Sequence, residues 1–159
     1  MDVAGDPWVP CNNPSPAVHP NGTLFLACAW SMRRAASPFG PWSETWGIGG
    51  SPTGTGRVWH GRSWEDPFLY FDKRGNWHLL AHTYTQETYG QGGNPVSGHG
   101  FSTDGIRWHY AVEEPYNNTV AQSDGTSRTY STVERPKLVF ADAGNPHTPT
   151  HLFNGVSPV

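Results

Sequence analysis

The stretch at residues 66–84, DPFLYFDKRGNWHLLAHTY, decides the fold of this chain. It contains an apolar run after a proline, a polar turn with a glycine, and a second largely apolar run. Two runs of strand length joined by a glycine-bearing turn predict a β-hairpin. The proline fits the start of the first strand, where its missing N–H costs least.

The same pattern occurs three times along the chain, as a degenerate repeat. The first copy starts at Asn13, the second at Asp66 and the third at Arg135, and a proline follows each of them. The glycine-bearing turns of the first and third copies lie at residues 21–22 and 142–145. We therefore expect the three segments to fold alike.

The first two copies also continue alike beyond the hairpin. The segment SPFGPW at 37–42 resembles STDGIRW at 102–108, since each puts a serine and a glycine turn before a tryptophan on the next strand. Four strands are therefore predicted for the middle unit, at residues 66–71, 77–84, 98–102 and 106–111. Four-stranded antiparallel sheets that recur every ~45–70 residues are typical of β-propeller blades.

A propeller closes with about four to eight blades, and this chain supplies about two and a half. We predict a single partial propeller domain, with blades at approximately 12–60, 64–115 and 130–159. We therefore expect the chain to be a fragment, a truncated gene product or one part of an assembly. Its oligomeric state stays open.

The composition favours an all-β fold as well. The 159 residues include 19 Gly and 15 Pro, whereas 14% of residues are charged and 13% are aromatic. Glycine and proline interrupt helices, and the aromatic content argues against a disordered chain. Short strands with many turns remain as the expected structure.

Charge and hydropathy exclude two classes of partner. The net charge is −3, and the basic residues are scattered, with Arg33-Arg34 and Lys73-Arg74 as the two adjacent pairs. A protein that binds nucleic acid through its phosphates needs a basic stripe, so we expect no nucleic-acid partner. The longest apolar run, at 24–30, is far shorter than the ~20 residues of a membrane span, so we expect no membrane partner.

The two cysteines, Cys11 and Cys28, exclude a disulfide-dense scaffold and a four-cysteine zinc site. They either pair or stay as buried thiols, and the sequence favours the thiols. The first six residues contain no basic or apolar segment, so they do not resemble a signal peptide. The acceptor patterns for N-glycosylation at Asn21 and Asn117 are compatible with an extracellular protein, and the localisation stays open.

Two carboxylates are the first candidates for chemistry. Asp66 and Glu134 occupy nearly equivalent places at the starts of successive units. The innermost strand of each blade lines a propeller's channel, so two such carboxyls could face one pocket, as glycoside hydrolysis requires. The alternative is that Asp66 caps a turn and Glu134 pairs with an arginine at the surface. The sequence alone does not separate the two.

The order of the motifs resembles glycoside hydrolase family 43 and its relatives. The resemblance covers nearly all of residues 12–156 and is carried by the segments at 13–16, 35–42, 65–67, 98–108 and 134–136. It implies a five-bladed β-propeller that hydrolyses glycosidic bonds, with inversion, in polysaccharides or oligosaccharides of plant or algal type. The expected partner is thus a carbohydrate substrate, without a cofactor.

The resemblance also implies roles for individual residues. Glu134 would be the general acid, with Arg135 in the place of the family's usual glycine, and Asp66 would orient the acid and raise its pKa. Asn13 would line the same pocket. No residue matches the family's general base, since Asp6-Pro7 lacks the strand and turn that should follow it. We therefore expect the isolated chain to be inactive.

Further residues are assigned to sugar binding or to packing. Trp64 is predicted to stack on a sugar, and Arg135 and His99 to bind it, with His82 as a weaker candidate than His99. Four other tryptophans are expected to lie within strands and pack between blades: Trp30, Trp42, Trp77 and Trp108.

No metal site is predicted from the sequence. His78 and His82 would lie ~13 Å apart on one strand, which makes them poor joint ligands. Two alternatives to an enzyme stay open, namely a non-catalytic carbohydrate-binding propeller and an inactive gene fragment.

Overall fold

The computed structural model describes residues 13–28, 31–43, 46–48, 63–84, 96–141 and 147–159. Within these ranges the protein is all-β, as predicted, with several small antiparallel sheets and no helix. None of the described residues belongs to a helix that is long and apolar enough to cross a membrane.

Two four-stranded antiparallel sheets follow one another along the chain, and in each the strand order is the chain order. We call them sheet 1 and sheet 2. Sheet 1 contains β1 Ser15–Val18, β2 Leu24–Cys28, β3 Ser31–Ala35 and β4 Trp46–Gly47. Sheet 2 contains β5 Ser63–Phe71, β6 Trp77–Tyr84, β7 Val96–Ser102 and β8 His109–Tyr110. The middle unit thus has its four predicted strands, although the fourth is shorter than predicted.

Two hairpins complete the described part of the chain. The strands β11 Thr132–Phe140 and β12 Pro149–Ser157 form the third copy of the repeated hairpin. The other hairpin, β9 Thr119–Ala121 with β10 Ser127–Thr129, was not predicted. Its strands are three residues long and exposed, so they lack the apolar alternation that identifies a strand in the sequence.

The repeat has a backbone signature that the sequence did not predict. Asn13, Asp66 and Arg135, the residues before the repeated prolines, have φ angles of 49°, 54° and 53°. Few residues other than glycine adopt this left-handed conformation. The same rare conformation at three matching positions indicates that the three segments do fold alike.

A β-bulge accompanies this conformation in the second and third copies. Between Glu65 and Phe68, β5 has one residue more than the facing part of β6, and β11 has the same extra residue between Glu134 and Lys137. A bulge bends its strand and turns a side chain in a new direction. The bulged residues are Asp66 and Arg135.

The bulges agree with the alignment of the repeated prolines, in which Asp66 matches Arg135. Glu65 is therefore the residue equivalent to Glu134. Asp66 and Glu134, which the sequence placed at nearly equivalent positions, differ by one position.

The turns that follow the third strands, β3 and β7, also match between the first two units. Gly40 and Gly105 have φ angles of 85° and 73°, and each turn begins at a serine whose hydroxyl accepts a backbone N–H. The tryptophans that follow lie outside the strands, which corrects the expectation for Trp42 and Trp108. Trp108 nevertheless packs against the core.

The hydrophobic core combines side chains of sheet 1 and sheet 2. Trp77 packs in it as predicted, whereas Trp30 lies outside the described residues. The backbone N–H of Leu69 on β5 donates a hydrogen bond of 2.9 Å to the buried hydroxyl of Ser15 on β1. The core consists of Phe25, Ala27, Met32, Ile48, Trp64, Leu69, Phe71, Trp77, Leu79 and Ala81.

Cys28 forms a disulfide. The expectation of free thiols is therefore wrong for this residue. The only other cysteine in the sequence, Cys11, lies outside the described residues.

Gly105 offers a direct test of the turn before β8. A Cβ at this position would lie 2.8 Å from two atoms of the Trp77 ring, on a backbone with φ of 73°. We expect Gly105→Ala to lower the free energy of unfolding by about 2–4 kcal/mol, since strain in the backbone and overpacking add.

The matched control is Gly22→Ala, because Gly22 has a φ of 86° and no atom lies within 4 Å of the position that its Cβ would take. This control should lose only about 1–2 kcal/mol, the backbone part of the cost. Urea denaturation measures both variants, and equal losses would contradict the predicted contact with Trp77.

Candidate functional site

The site lies where the first strands of the three copies run side by side. The strand β1 lies against β5, and β5 lies against β11. At this place the side-chain amide of Asn13 donates a hydrogen bond to Oδ1 of Asp66. Asp66 is only 3% exposed, so a buried carboxyl joins the first two units.

Burial is the main cause that raises the pKa of Asp66 above its usual value. The neighbouring Glu65 carboxylate raises it further, and Glu134 adds a smaller effect in the same direction. The charges of Arg135 and His82 oppose this rise. Asp66 thus lies within electrostatic range of two other carboxyl groups and a guanidinium.

The pKa of Glu65 is lowered, in contrast to that of Asp66, although the two residues are adjacent in sequence. It faces His82 across the β5–β6 pair, and Nδ1 of His82 lies 3.5 Å from Oε1 of Glu65. This polar contact is the main cause that lowers the pKa of Glu65, against the opposing effect of burial, and Arg135 contributes to the lowering. Two successive carboxyls are therefore biased toward different protonation states.

Glu134 and Arg135 form an ion pair at the bulge of β11. Nη1 of Arg135 donates to Oε2 of Glu134 at 3.1 Å, and the Arg135 side chain is 61% exposed. The backbone carbonyl of Glu134 accepts a hydrogen bond of 3.3 Å from the amide of Asn154 on β12. The third unit thus presents a carboxylate and a solvent-accessible guanidinium next to Asp66.

Tyr116 reaches this site from the loop after sheet 2. Ser97 fixes its main chain, because the serine hydroxyl donates to the Tyr116 carbonyl and accepts the Tyr116 N–H. Burial raises the pKa of the Tyr116 hydroxyl, and the charges of Asp66 and Glu134 raise it further, while a hydrogen bond with Asn154 opposes them. Its hydroxyl therefore lies near both candidate acids.

Lys137 is a second residue that sequence analysis did not select. Its ammonium lies 5.2 Å from the centre of the Phe68 ring. Burial lowers the pKa of Lys137, and the attraction of Asp66 opposes that shift. Lys137 and Glu65 are near a repeated proline in sequence, which is a usable signal, whereas nothing in the sequence pointed to Tyr116.

The structure separates the six selected residues into two groups. Asn13, Asp66, Glu134 and Arg135 come together as described, and His82, the weaker histidine candidate, lies beside them. Trp64 is 1% exposed and packs in the hydrophobic core, so its ring face is not open for stacking on a sugar.

His99 belongs to a different cluster, on the opposite side of β6 from the core. Its Nε2 lies 3.0 Å from Nδ1 of His78, and the two rings are nearly coplanar, with centres 5.3 Å apart. Tyr70 stacks on the His78 ring with centres 4.8 Å apart, and Oδ2 of Asp72 lies 3.8 Å from Nε2 of His78. His99 therefore has a hydrogen-bonding partner within sheet 2, and its contact with a sugar stays a prediction.

Comparisons with family models, with curated proteins and with solved structures return no match.

The histidine pair predicts a pH-dependent stability. Burial lowers the pKa of His78 and of His99 from the usual 6.5, and the charge of His78 lowers that of His99 further. As the pH falls through 6.5, the unfolded chain takes up protons that the folded chain resists, so this pair makes the folded state less stable. Above pH 6.5 both states are neutral at these rings and the effect vanishes.

When the pH is lowered from 7 to 5, we therefore expect the free energy of unfolding to fall less in His99→Gln than in the wild type. Urea denaturation at each pH measures this. The control is His151→Gln, because His151 is exposed on β12. It should keep the wild-type pH dependence. A His99→Gln variant with an unchanged pH dependence would contradict the expected linkage.

Proposed function

We propose that this chain is part of a β-propeller related to the glycoside hydrolases and that its site acts on carbohydrate. The reaction is hydrolysis of glycosidic bonds, with inversion, in polysaccharides or oligosaccharides of plant or algal type. One observation carries the proposal: the first strands bring Asn13, Asp66 and Arg135 to one place, with Glu134 in electrostatic range of a buried Asp66.

The arrangement of sheets supports the propeller part of the proposal. Two four-stranded antiparallel sheets pack through one core, and a third hairpin begins in the same way. Their first strands are neighbours in space. Successive blades whose innermost strands surround a common axis would have these features.

The proposed chemistry uses the two carboxyls that the resemblance selected. Glu134 donates a proton to the glycosidic oxygen as it leaves, and Asp66 orients it. The amide of Asn13 and the exposed guanidinium of Arg135 supply donors for sugar hydroxyls. The group that activates water is not assigned to any described residue.

A second candidate function is carbohydrate binding without turnover. The ion pair between Arg135 and Glu134 favours it, because Oε2 of the carboxylate is already engaged by the guanidinium. A paired carboxylate suits hydrogen bonding to sugar hydroxyls better than proton donation. Measurements of turnover and of binding are needed to decide between hydrolysis and binding alone.

The test of hydrolysis uses aryl-arabinosides and aryl-xylosides as substrates. Turnover that falls at least about 100-fold in Glu134→Gln would support hydrolysis, since a general acid contributes 10²–10⁴-fold. The control is Glu113→Gln, because Glu113 is exposed and lies outside the two strands that carry the bulges, and its rate should equal that of the wild type.

Calorimetry with arabino- and xylo-oligosaccharides decides between the two functions. Binding without turnover would favour the second candidate. Turnover that survives in Glu134→Gln would contradict the assigned acid, and the absence of both binding and turnover would contradict the carbohydrate proposal as a whole.

A further inference from the structure

A group of metal-ligating atoms lies at the bulge of β5. Glu65, Asp66 and His82 each offer one ligand atom, and these three atoms lie within 4.8 Å of one another. Ligand atoms of one cation lie at most about 4.4 Å apart at bond lengths of about 2.0–2.2 Å, so small side-chain movements bring two carboxylate oxygens and an imidazole nitrogen to a common cation. Proximity of acidic residues alone does not make a site, and a second observation is therefore needed.

That observation is the state of the His82 ring. The His82 side chain is only 9% exposed, and its Nδ1 is buried without a hydrogen-bond partner. The nearest acceptor, Oε1 of Glu65, lies 3.5 Å away. A buried polar nitrogen that lacks a hydrogen-bond partner makes the folded state less stable. Nδ1 of His82 lies near the carboxylate of Glu65 but forms no hydrogen bond with it.

The backbone explains why these residues meet. Glu65 and His82 face each other in the β5–β6 register, so their side chains share one face of sheet 2. In a regular strand Asp66 would point to the opposite face. The left-handed bulge at Asp66, with a φ of 54°, removes this alternation and brings its carboxylate to the side of Glu65 and His82.

We propose that Glu65, Asp66 and His82 form a binding site for a divalent transition-metal cation, with Zn²⁺ or Mn²⁺ as the fitting class. The imidazole ligand selects these ions over Ca²⁺ and Mg²⁺, which prefer oxygen ligands only. Two carboxylates match the charge of the cation, and water completes the coordination. The cation would give the His82 nitrogen the partner that it lacks.

This inference goes beyond the proposed function and does not depend on it. The Asp66 carboxylate takes part in both proposals. Metal binding is measured by calorimetry without sugar, whereas hydrolysis is measured by turnover of aryl-glycosides. A failure of either proposal is thus distinguishable from a failure of the other.

The experiment is isothermal titration calorimetry of the chelator-treated protein with ZnCl₂ and, separately, MnCl₂. We expect one cation per chain. Glu65→Gln and His82→Asn should each weaken binding at least about tenfold, because each removes a direct ligand. Circular dichroism checks that each variant is folded. If His82→Asn does not fold, Glu65→Gln still tests the site, because glutamine has nearly the same shape as glutamate.

The matched control is His151→Asn, an exposed histidine on β12. Its affinity for both cations should equal that of the wild type. A weaker affinity in this variant would mean that an exposed histidine contributes to the measured binding. Two results would overturn the proposal: no binding of either cation by the wild type at millimolar concentration, or an affinity that is unchanged in Glu65→Gln and His82→Asn. The second result would mean that Glu65 and His82 do not bind the cation.

Discussion

The structure depends on a backbone constraint at the residue before each repeated proline. Asn13, Asp66 and Arg135 all adopt a left-handed φ that few residues other than glycine tolerate. The proline that follows cannot donate a hydrogen bond to a neighbouring strand, and in β5 and β11 the ladder is interrupted there by a bulge. The strand resumes beyond it, so the strain is confined to one dipeptide in each unit.

The position of these bulges explains the candidate site. Because β1, β5 and β11 lie side by side, the three irregular dipeptides come together as neighbours. The side chain of Asp66 is turned toward Asn13 of the preceding unit and lies in range of Glu134 and Arg135 of the following one. Local strain is often stored at functional sites, where the surrounding structure compensates for it. The hydrogen bond from Asn13 to the buried carboxyl of Asp66 is the most direct compensation here.

The sequence predicted the all-β class, the four strands of the middle unit and the repeated hairpins, because these follow from local periodicity and glycine-bearing turns. It did not predict the bulges, since a β-bulge has no composition of its own, and the role of Glu65 as the residue equivalent to Glu134 was therefore missed. Trp64 and His99 were assigned to the sugar from their residue types and their places in the chain, but burial in the core and the contact with His78 depend on tertiary packing. Tyr116 comes from a distant loop, and only the fold brings it near the acids.

The central claim is that the bulged residues of adjacent units are coupled through the contact between Asn13 and Asp66. A double-mutant cycle of Asn13→Ala and Asp66→Asn, measured as free energies of unfolding, tests it most directly. Residues in one hydrogen-bonded contact show coupling of about 0.5–3 kcal/mol, whereas independent sites add within about 0.3–0.5 kcal/mol. We predict a coupling of at least about 1 kcal/mol for this pair, since the acceptor is a buried carboxyl. Additive effects of the two substitutions would contradict the claim.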